Sequence, residues 1–398
     1  MPLPHTASLV TFFVGFTALL ATIVAQVRGR SILPELLVIQ RRQQQEATNT
    51  QPRNLGIAGS QLLAYFDTNL QRLYSEHGEV SPRVSQYYDL FAEFILGDDG
   101  SAVEAACSPE ASSISRLTRD VQVLNNVHSH NDYWRKLPLF EALAYGVNSV
   151  EADVWLMNND TELAVGHNNA YLDPIHRNLH SLYTGPLLKM LDEVNCGTHD
   201  EKYGVFYDSP ETTLYLYIDF KSEDNIKTYE LLMQKYFKPL IEMGYLTYYD
   251  METKLIIRRP LTVILTGDYP TDIKRLDNNS DTGYFNTKQR FVFVDAPLQA
   301  LTKDYLNASV VASCSLSQLL QQCSSTMPIV RIRGHLTAGE IDCIKQTTSK
   351  ASEYGLRTRV WGVPQWPIYT RNNLWLQQLQ DLSLDFLNVD DLQSVANF

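Results

Sequence analysis

The sequence is short of cysteine, of positive charge and of internal repetition, and each shortage removes a class of protein. Its five cysteines (Cys107, Cys196, Cys314, Cys323 and Cys343) form no CxxC pair, and none stands at zinc-like spacing with a histidine, so no structural zinc site is signalled. An odd number rules out complete pairing, and the pattern predicts mostly buried free thiols, with Cys314–Cys323 as the bridge expected if the compartment is oxidising. Lys and Arg total 33 against 45 Asp and Glu, a formal charge of -12, which argues against a nucleic-acid binder because such proteins gather cations to neutralise phosphates. An anionic substrate would need a metal or a few local cations. Solenoid repeats and collagen-like or disordered composition are absent as well.

What is present is a chain able to bury a large core: 44% of its 398 residues are hydrophobic and 20% charged. That length exceeds one average domain and suits a single α/β barrel with extra N-terminal sequence. The run Leu9–Val27 carries no charge and is about as long as a helix needs to cross a bilayer of roughly 30 Å. No Lys or Arg precedes it, while Arg28, Arg30, Arg41 and Arg42 follow, so residues 1–30 read as a retained membrane anchor, with a cleaved signal peptide as the alternative. The flanking arginines would put the remainder in the cytosol or matrix. Three triplets, Asn159-Asp160-Thr161, Asn278-Asn279-Ser280 and Asn307-Ala308-Ser309, fit instead the glycosylation pattern of a lumenal domain. The expected location is therefore membrane-associated, secretory or mitochondrial, with sidedness open.

Residues 31–118 read as a polar, glutamine-rich linker followed by a helical extension. Leu62, Leu63, Tyr65, Phe66, Leu70, Leu73 and Tyr74 recur at mostly helical spacing, and residues 99–116 read as a loop. From residue 119 to 398 short β-branched runs alternate with amphipathic segments, the rhythm of βα units and a parallel sheet. Eight candidate strands (121–127, 147–155, 213–220, 261–266, 290–295, 328–332, 358–363 and 384–389) are the number a TIM-type (β/α)8 barrel requires. Between them, the segment after Lys221 reads as a helix capped by Ser222 and stopped at Gly244.

In such a barrel the C-terminal strand ends point into the active site. The first candidate strand ends in His128-Ser129-His130-Asn131-Asp132, and the second carries Glu151-Ala152-Asp153, whose carboxylates share one face by the period-two rule. Asp219 and Lys221 share a face at the third strand end, and His167 follows Gly166 in a loop. Facing carboxylates repel unless a cation sits between them, and all-oxygen ligands suit Mg²⁺ or Ca²⁺. Two histidines, three acids and a lysine from successive strand ends suit phosphoryl chemistry. Paired glycosidase carboxylates fit poorly, because residues at i and i+2 aim at one point instead of flanking a sugar.

The strings HSHNDY, GVNSVEADVW, AVGH and YIDFK resemble the phospholipase C-like phosphodiesterase superfamily, which includes glycerophosphodiester phosphodiesterases and sphingomyelinase D. Over roughly residues 120–396 the chain is most similar to the fungal altered inheritance of mitochondria protein six family. The resemblance implies His130 and His167 as the acid–base pair, Glu151, Asp153 and Asp219 as metal ligands, and Lys221 as a phosphate contact. Trp361 falls where related barrels place an aromatic. Glycerophosphodiesterases usually read His-Arg-Gly at the first strand, where this chain reads His-Asn-Asp, so His128 competes with His130 and the headgroup stays open. His128 is expected as a wall residue, with Asn131 beside it. Arg331 and Arg333, on the sixth candidate strand, are possible headgroup contacts, a surface ion pair being the alternative. The expected activity is cleavage of a lipid-derived or glycerophosphodiester-type bond, by attack of a neighbouring substrate hydroxyl or of water; the alternative is a catalytically silent, membrane-tethered scaffold.

Overall fold

The computed structural model describes residues 56–76, 84–97, 109–157, 159–197, 201–272, 276 and 288–398. The chain divides into two compact units, Met1–Asn54 with Phe66–Ser81, and Leu55–Tyr65 with Pro82–Phe398. The described part of the first, Phe66–Glu76, is helical; the second holds the barrel.

Eight parallel strands form the barrel: β1 Val127–Ser129, β2 Ser149–Met157, β3 Leu214–Phe220, β4 Leu261–Gly267, β5 Val292–Pro297, β6 Val311–Ser315, β7 Arg357–Trp361 and β8 Phe386–Val389. Each pairs with the next, β8 returns to β1 through His128↔Asn388, and Ser129↔Val150 joins β1 to β2, so no edge is left open. A further strand, Glu162–Val165, folds back antiparallel on β2.

The barrel interior is filled in layers, as β/α barrels require. Tyr215, Phe293, Val311 and Phe386 belong to one apolar cluster near the strand starts, with the Tyr215 and Phe386 rings 5.2 Å apart. One turn of the pleat further along, the inward residues become polar: Ser149, Tyr217, Asp295, Ser313, Arg359 and Asn388. Arg359 is 3% exposed and lies 4.7 Å from the Tyr217 ring centroid, donating to Ser313 Oγ (3.2 Å), Asn388 Oδ1 (3.0 Å) and Asp295 Oδ2 (3.4 Å). A buried guanidinium persists only when its donors are matched, and three of its neighbours do so here.

Several expectations need correction. Residues 328–332 are not a strand: they lie in the helix Met327–Arg333, which Pro328 opens and Gly334 closes at φ 82. Those two residues punctuate a helix, and they outweigh the β-branched pattern between them. The sixth strand is the small-residue stretch Val311–Ser315, where Ser313 leaves room for Arg359. The first strand begins where its candidate range ended.

Asp224, not Ser222, caps the helix Asn225–Leu231, and the Ser222 hydroxyl instead accepts the Leu156 amide (2.7 Å). The expected loop 99–116 gives way at its end to a short helix, Ser113–Thr118, capped by Ser112. The Cys314–Cys323 bridge does not form: Cys323 pairs with Cys343, Cys196 is also disulfide-bonded, and Cys314 is a buried thiol, so free thiols are not the rule.

The helical extension is present as Gly59–Glu76 and Val84–Leu96, the latter tied to the barrel by the Tyr88 hydroxyl, which donates to Ser181 O (3.0 Å). Among the described residues no helix is long and apolar enough to cross a membrane, and the Leu9–Val27 segment lies outside them.

Candidate active site

The C-terminal ends of β1, β2 and β3 bring the expected residues together. Asp153 and Asp219 are direct partners across the parallel β2–β3 ladder, and Glu151 precedes Asp153 on the same face. Ligand oxygens of Glu151, Asp153 and Asp219 lie within 4.8 Å of one another. Lys221 Nζ sits 2.7 Å from Asp219 Oδ2 and 3.3 Å from Asp153 Oδ2, so in this arrangement the lysine is itself spent on the two aspartates.

The other oxygens, Asp153 Oδ1 and Asp219 Oδ1, are buried without a hydrogen-bond partner among the described residues. A buried lone carboxylate oxygen is costly. Gly267, on β4, adds to the cradle: at φ +70 an added Cβ would stand 2.0 Å from Asp219 Oδ1. Orphaned oxygens, three clustered carboxylates and a bare backbone wall fit a hard divalent cation such as Mg²⁺ or Ca²⁺.

The carboxylates differ electrostatically. Burial pushes Asp219 up to about 6, reinforced by Asp153 and opposed by Lys221. Burial and the nearby Glu151 likewise raise Asp153. Burial acts on Glu151 in the same sense, but the His128 hydrogen bond and the Arg359 charge outweigh it and hold this carboxyl well below the ordinary range.

Each histidine of the expected pair is anchored by Nδ1 to a carboxylate. His130 Nδ1 lies 2.7 Å from Asp390 Oδ1, beyond the end of β8, and its backbone N–H donates to Val389 O (3.0 Å). Burial lowers its pKa, yet the Asp390 hydrogen bond and the Glu151 charge together raise it above the ordinary imidazole value. His167 Nδ1 lies 3.2 Å from Asp153 Oδ2 and 3.3 Å from the Tyr133 hydroxyl, at the end of the hairpin that Glu162–Val165 closes. Its ring meets Trp134 edge-on at 5.2 Å. Neither Nε2 has a partner among the described residues, and the two side chains are 32% and 53% exposed.

His128 is different. Fully buried, it reaches Ser149 Oγ through Nδ1 (2.8 Å) and Glu151 Oε2 through Nε2 (3.5 Å), so both ring nitrogens are consumed. Burial and the Arg359 charge push it down to about 4. As a neutral ring it accepts the serine hydroxyl and presents Nε2–H to the carboxylate, which is the geometry of a wall residue.

Asn131 adopts the left-handed conformation (φ 47), which asparagine tolerates, and turns its amide N–H onto Glu151 Oε2 (3.2 Å). Trp361 ends β7 and is 41% exposed. Arg331 lies exposed on the helix Met327–Arg333, which removes the strand-end argument for a headgroup contact. Arg333 pairs with Glu340 on the neighbouring helix, as the ion-pair alternative had it.

Sequence reasoning missed Tyr133, Asp390 and Arg359. The Tyr133 hydroxyl lies 2.7 Å from Asn131 Oδ1 and 2.8 Å from Asp153 Oδ2, linking the first loop to the carboxylate cluster. The signal for Asp390 was the acidic end of β8, which in a closed barrel must lie beside β1.

A model of the AIM6-like phosphodiesterase domain matches residues 115–295, which run from just before β1 to near the end of β5. A relative from Lachancea thermotolerans named "Altered inheritance of mitochondria protein 6" is 52% identical over 353 residues, covering 86% of this chain and 82% of its own. One of that name from Saccharomyces cerevisiae is 49% identical over 385 residues and 96% of both chains, and one from Zygosaccharomyces rouxii 44% identical over 400 residues and 97% of both. No solved structure matches the chain significantly. At such identity over nearly the whole length, the chain belongs to the family of altered inheritance of mitochondria protein 6.

Proposed function

We propose that this chain is a metal-assisted phosphodiesterase acting on a lipid-derived or glycerophosphodiester-type substrate, with His130 and His167 as the acid–base pair. The observation that supports it most is the matched anchoring of the two imidazoles, each held at Nδ1 by an aspartate with Nε2 left for substrate, beside three clustered carboxylates. One imidazole accepts the proton of the attacking hydroxyl and the other donates a proton to the leaving oxygen. Asp390 and Asp153 orient the rings and stabilise the imidazolium as it forms, as the carboxylate of a hydrolase triad does.

Glu151, Asp153 and Asp219 would hold a Mg²⁺ or Ca²⁺ ion, which when bound offsets charge on the phosphoryl oxygens. Lys221, released from Asp219, contributes a second cation to the phosphate. Asn131 and His128 hold Glu151 in place, and Trp361 forms an aromatic wall. Attack by a neighbouring substrate hydroxyl, giving a cyclic phosphate, is the reaction favoured, with water as the alternative nucleophile. The uncharged run Leu9–Val27 anchors the enzyme to its membrane.

A catalytically silent barrel acting as a binding protein is the second reading, favoured by Lys221 closing over Asp153 and Asp219. The purified chain, assayed on a panel of phosphodiesters with Mg²⁺, Ca²⁺ or EDTA beside His167→Ala, separates the two. Metal-dependent turnover lost in the variant supports the enzyme; no turnover on any member and no metal bound supports the silent barrel.

A further inference from the structure

Two of the Asn-x-Ser/Thr triplets fall on described surface turns far apart in the chain, and the catalytic reading uses neither. Asn159 sits at the tip of the hairpin between β2 and Glu162–Val165, exposed and at φ 55. Asn307 lies in the turn before β6, also exposed, and only its backbone carbonyl is engaged, by Arg290. The third triplet, at residues 278–280, lies outside the described residues.

The second triplet carries an anomaly. Ser309 is 1% exposed, and its hydroxyl is buried without a hydrogen-bond partner among the described residues. A buried orphan hydroxyl costs the fold more than a methyl in its place would, so packing gives no reason for serine there. As the third member of an acceptor triplet the hydroxyl has a use, and that use precedes burial: once β6 has joined the sheet the hydroxyl is out of reach. Independently, the same unit holds the Cys323–Cys343 disulfide and a disulfide at Cys196, bonds that persist in an oxidising compartment.

We infer that Asn159 and Asn307 are modified with N-linked oligosaccharide in an oxidising lumen, before the barrel closes. The donor is a lipid pyrophosphate-linked oligosaccharide. The carboxamide nitrogen of each asparagine bonds to the anomeric carbon, the bond from that carbon to the pyrophosphate oxygen breaks, the lipid pyrophosphate leaves with the electron pair, and the amide proton passes to base. No oxidant is involved in this step. The barrel therefore stands on the lumenal side, opposite to the side the flanking arginines suggest. This inference does not rest on the phosphodiesterase reading.

The full-length chain, expressed in yeast, is to be treated with a peptide N-glycosidase, which hydrolyses the glycosylated carboxamide to aspartate, and compared with Asn159→Gln, Asn307→Gln and the double variant by gel mobility. Peptide mass spectrometry of the wild-type chain is run in parallel, so that no conclusion depends on a variant folding. The expected result is one mobility step lost with each single variant, no enzyme-dependent shift from these positions in the double variant, and glycan-derived conversion to aspartate at residues 159 and 307. Unmodified Asn159 and Asn307 peptides in the wild-type chain, with or without intact disulfides, overturn the inference, as does a shift carried wholly by Asn278.

Discussion

Asp153 and Asp219 stand side by side as register partners on adjacent parallel strands, with Lys221 bridging them and one oxygen of each left without a partner among the described residues. Parallel strands lie about 4.8 Å apart, so nothing in the backbone can separate the two charges. The arrangement holds a tension that protonation, Lys221 or a cation relieves.

Metal affinity is therefore expected to depend on pH. Asp219, pushed up to about 6 by burial and Asp153, binds a proton that a divalent ion must displace. Calorimetric titration with Mg²⁺ or Ca²⁺ should show affinity roughly constant above pH 7 and falling up to about tenfold per pH unit below 6. Flat affinity down to about pH 5 would discard this account.

His128 makes the folded chain acid-sensitive. Its folded pKa, about 4, lies below its ordinary 6.5, so the unfolded state binds the proton more readily. Its contribution is present in full above about 6.5 and is lost as pH falls from there toward 4, amounting to on the order of 3 kcal/mol. Denaturant unfolding of wild type and His128→Gln at several pH values checks it: the variant should lose the steep part of this dependence, and parallel curves would count against it.

Asp390→Asn removes the charge that raises His130 and leaves a neutral, weaker acceptor for its Nδ1–H. Whichever limb of the pH–rate profile His130 governs should move to lower pH, while the limb of His167 stays. The loss in rate should fall below the ~10²–10⁴-fold carried by a proton-transfer group itself. A profile displaced on both limbs, or on neither, would remove Asp390 from the site.

Tyr133→Phe deletes the donor shared by Asn131 and Asp153. Hydrogen bonds to charged groups contribute about 1.5–3 kcal/mol, so unfolding in denaturant should show a loss in that range. A change under about 0.5 kcal/mol would mean that water replaces the hydroxyl, because ordered water reproduces a direct bond nearly as well.

The Cys323–Cys343 bridge closes a loop of 20 residues, and its removal by Cys343→Ser should cost about 3 kcal/mol. Cys323→Ser should cost the same, and the double variant no more than either, since both remove one bond. Thermal unfolding of the three variants reads this directly.

Much of the barrel was legible because its strands are β-branched runs at βα spacing, and β2, β3 and β4 lie where those runs do. β6 was not, because Val311–Ser315 is built of small residues that yield space to Arg359, a demand that comes from a strand 46 residues later. The helix Met327–Arg333 was misread for the converse reason: its β-branched residues, Val330 buried and Ile329 and Ile332 exposed, lie on a helix whose ends are set by Pro328 and Gly334. At the site, the three carboxylates and His130 were legible as polar strand ends and His167 as a loop residue after Gly166, while the pairing of the two histidines came from the family resemblance. Tyr133 and Arg359 were not, since their partners belong to other elements and only closure brings them together.

Asp390 reaches His130 across 260 residues of sequence, and the amide of His130 is held by the last strand as well. A ribosome that stops before β8 therefore releases a chain holding every expected ligand and both histidines, yet one in which His130 has no anchor and β1 lies open along one side. The anchor of His130 and the strand that closes the barrel beside β1 arrive together, as the last part of the chain to be made.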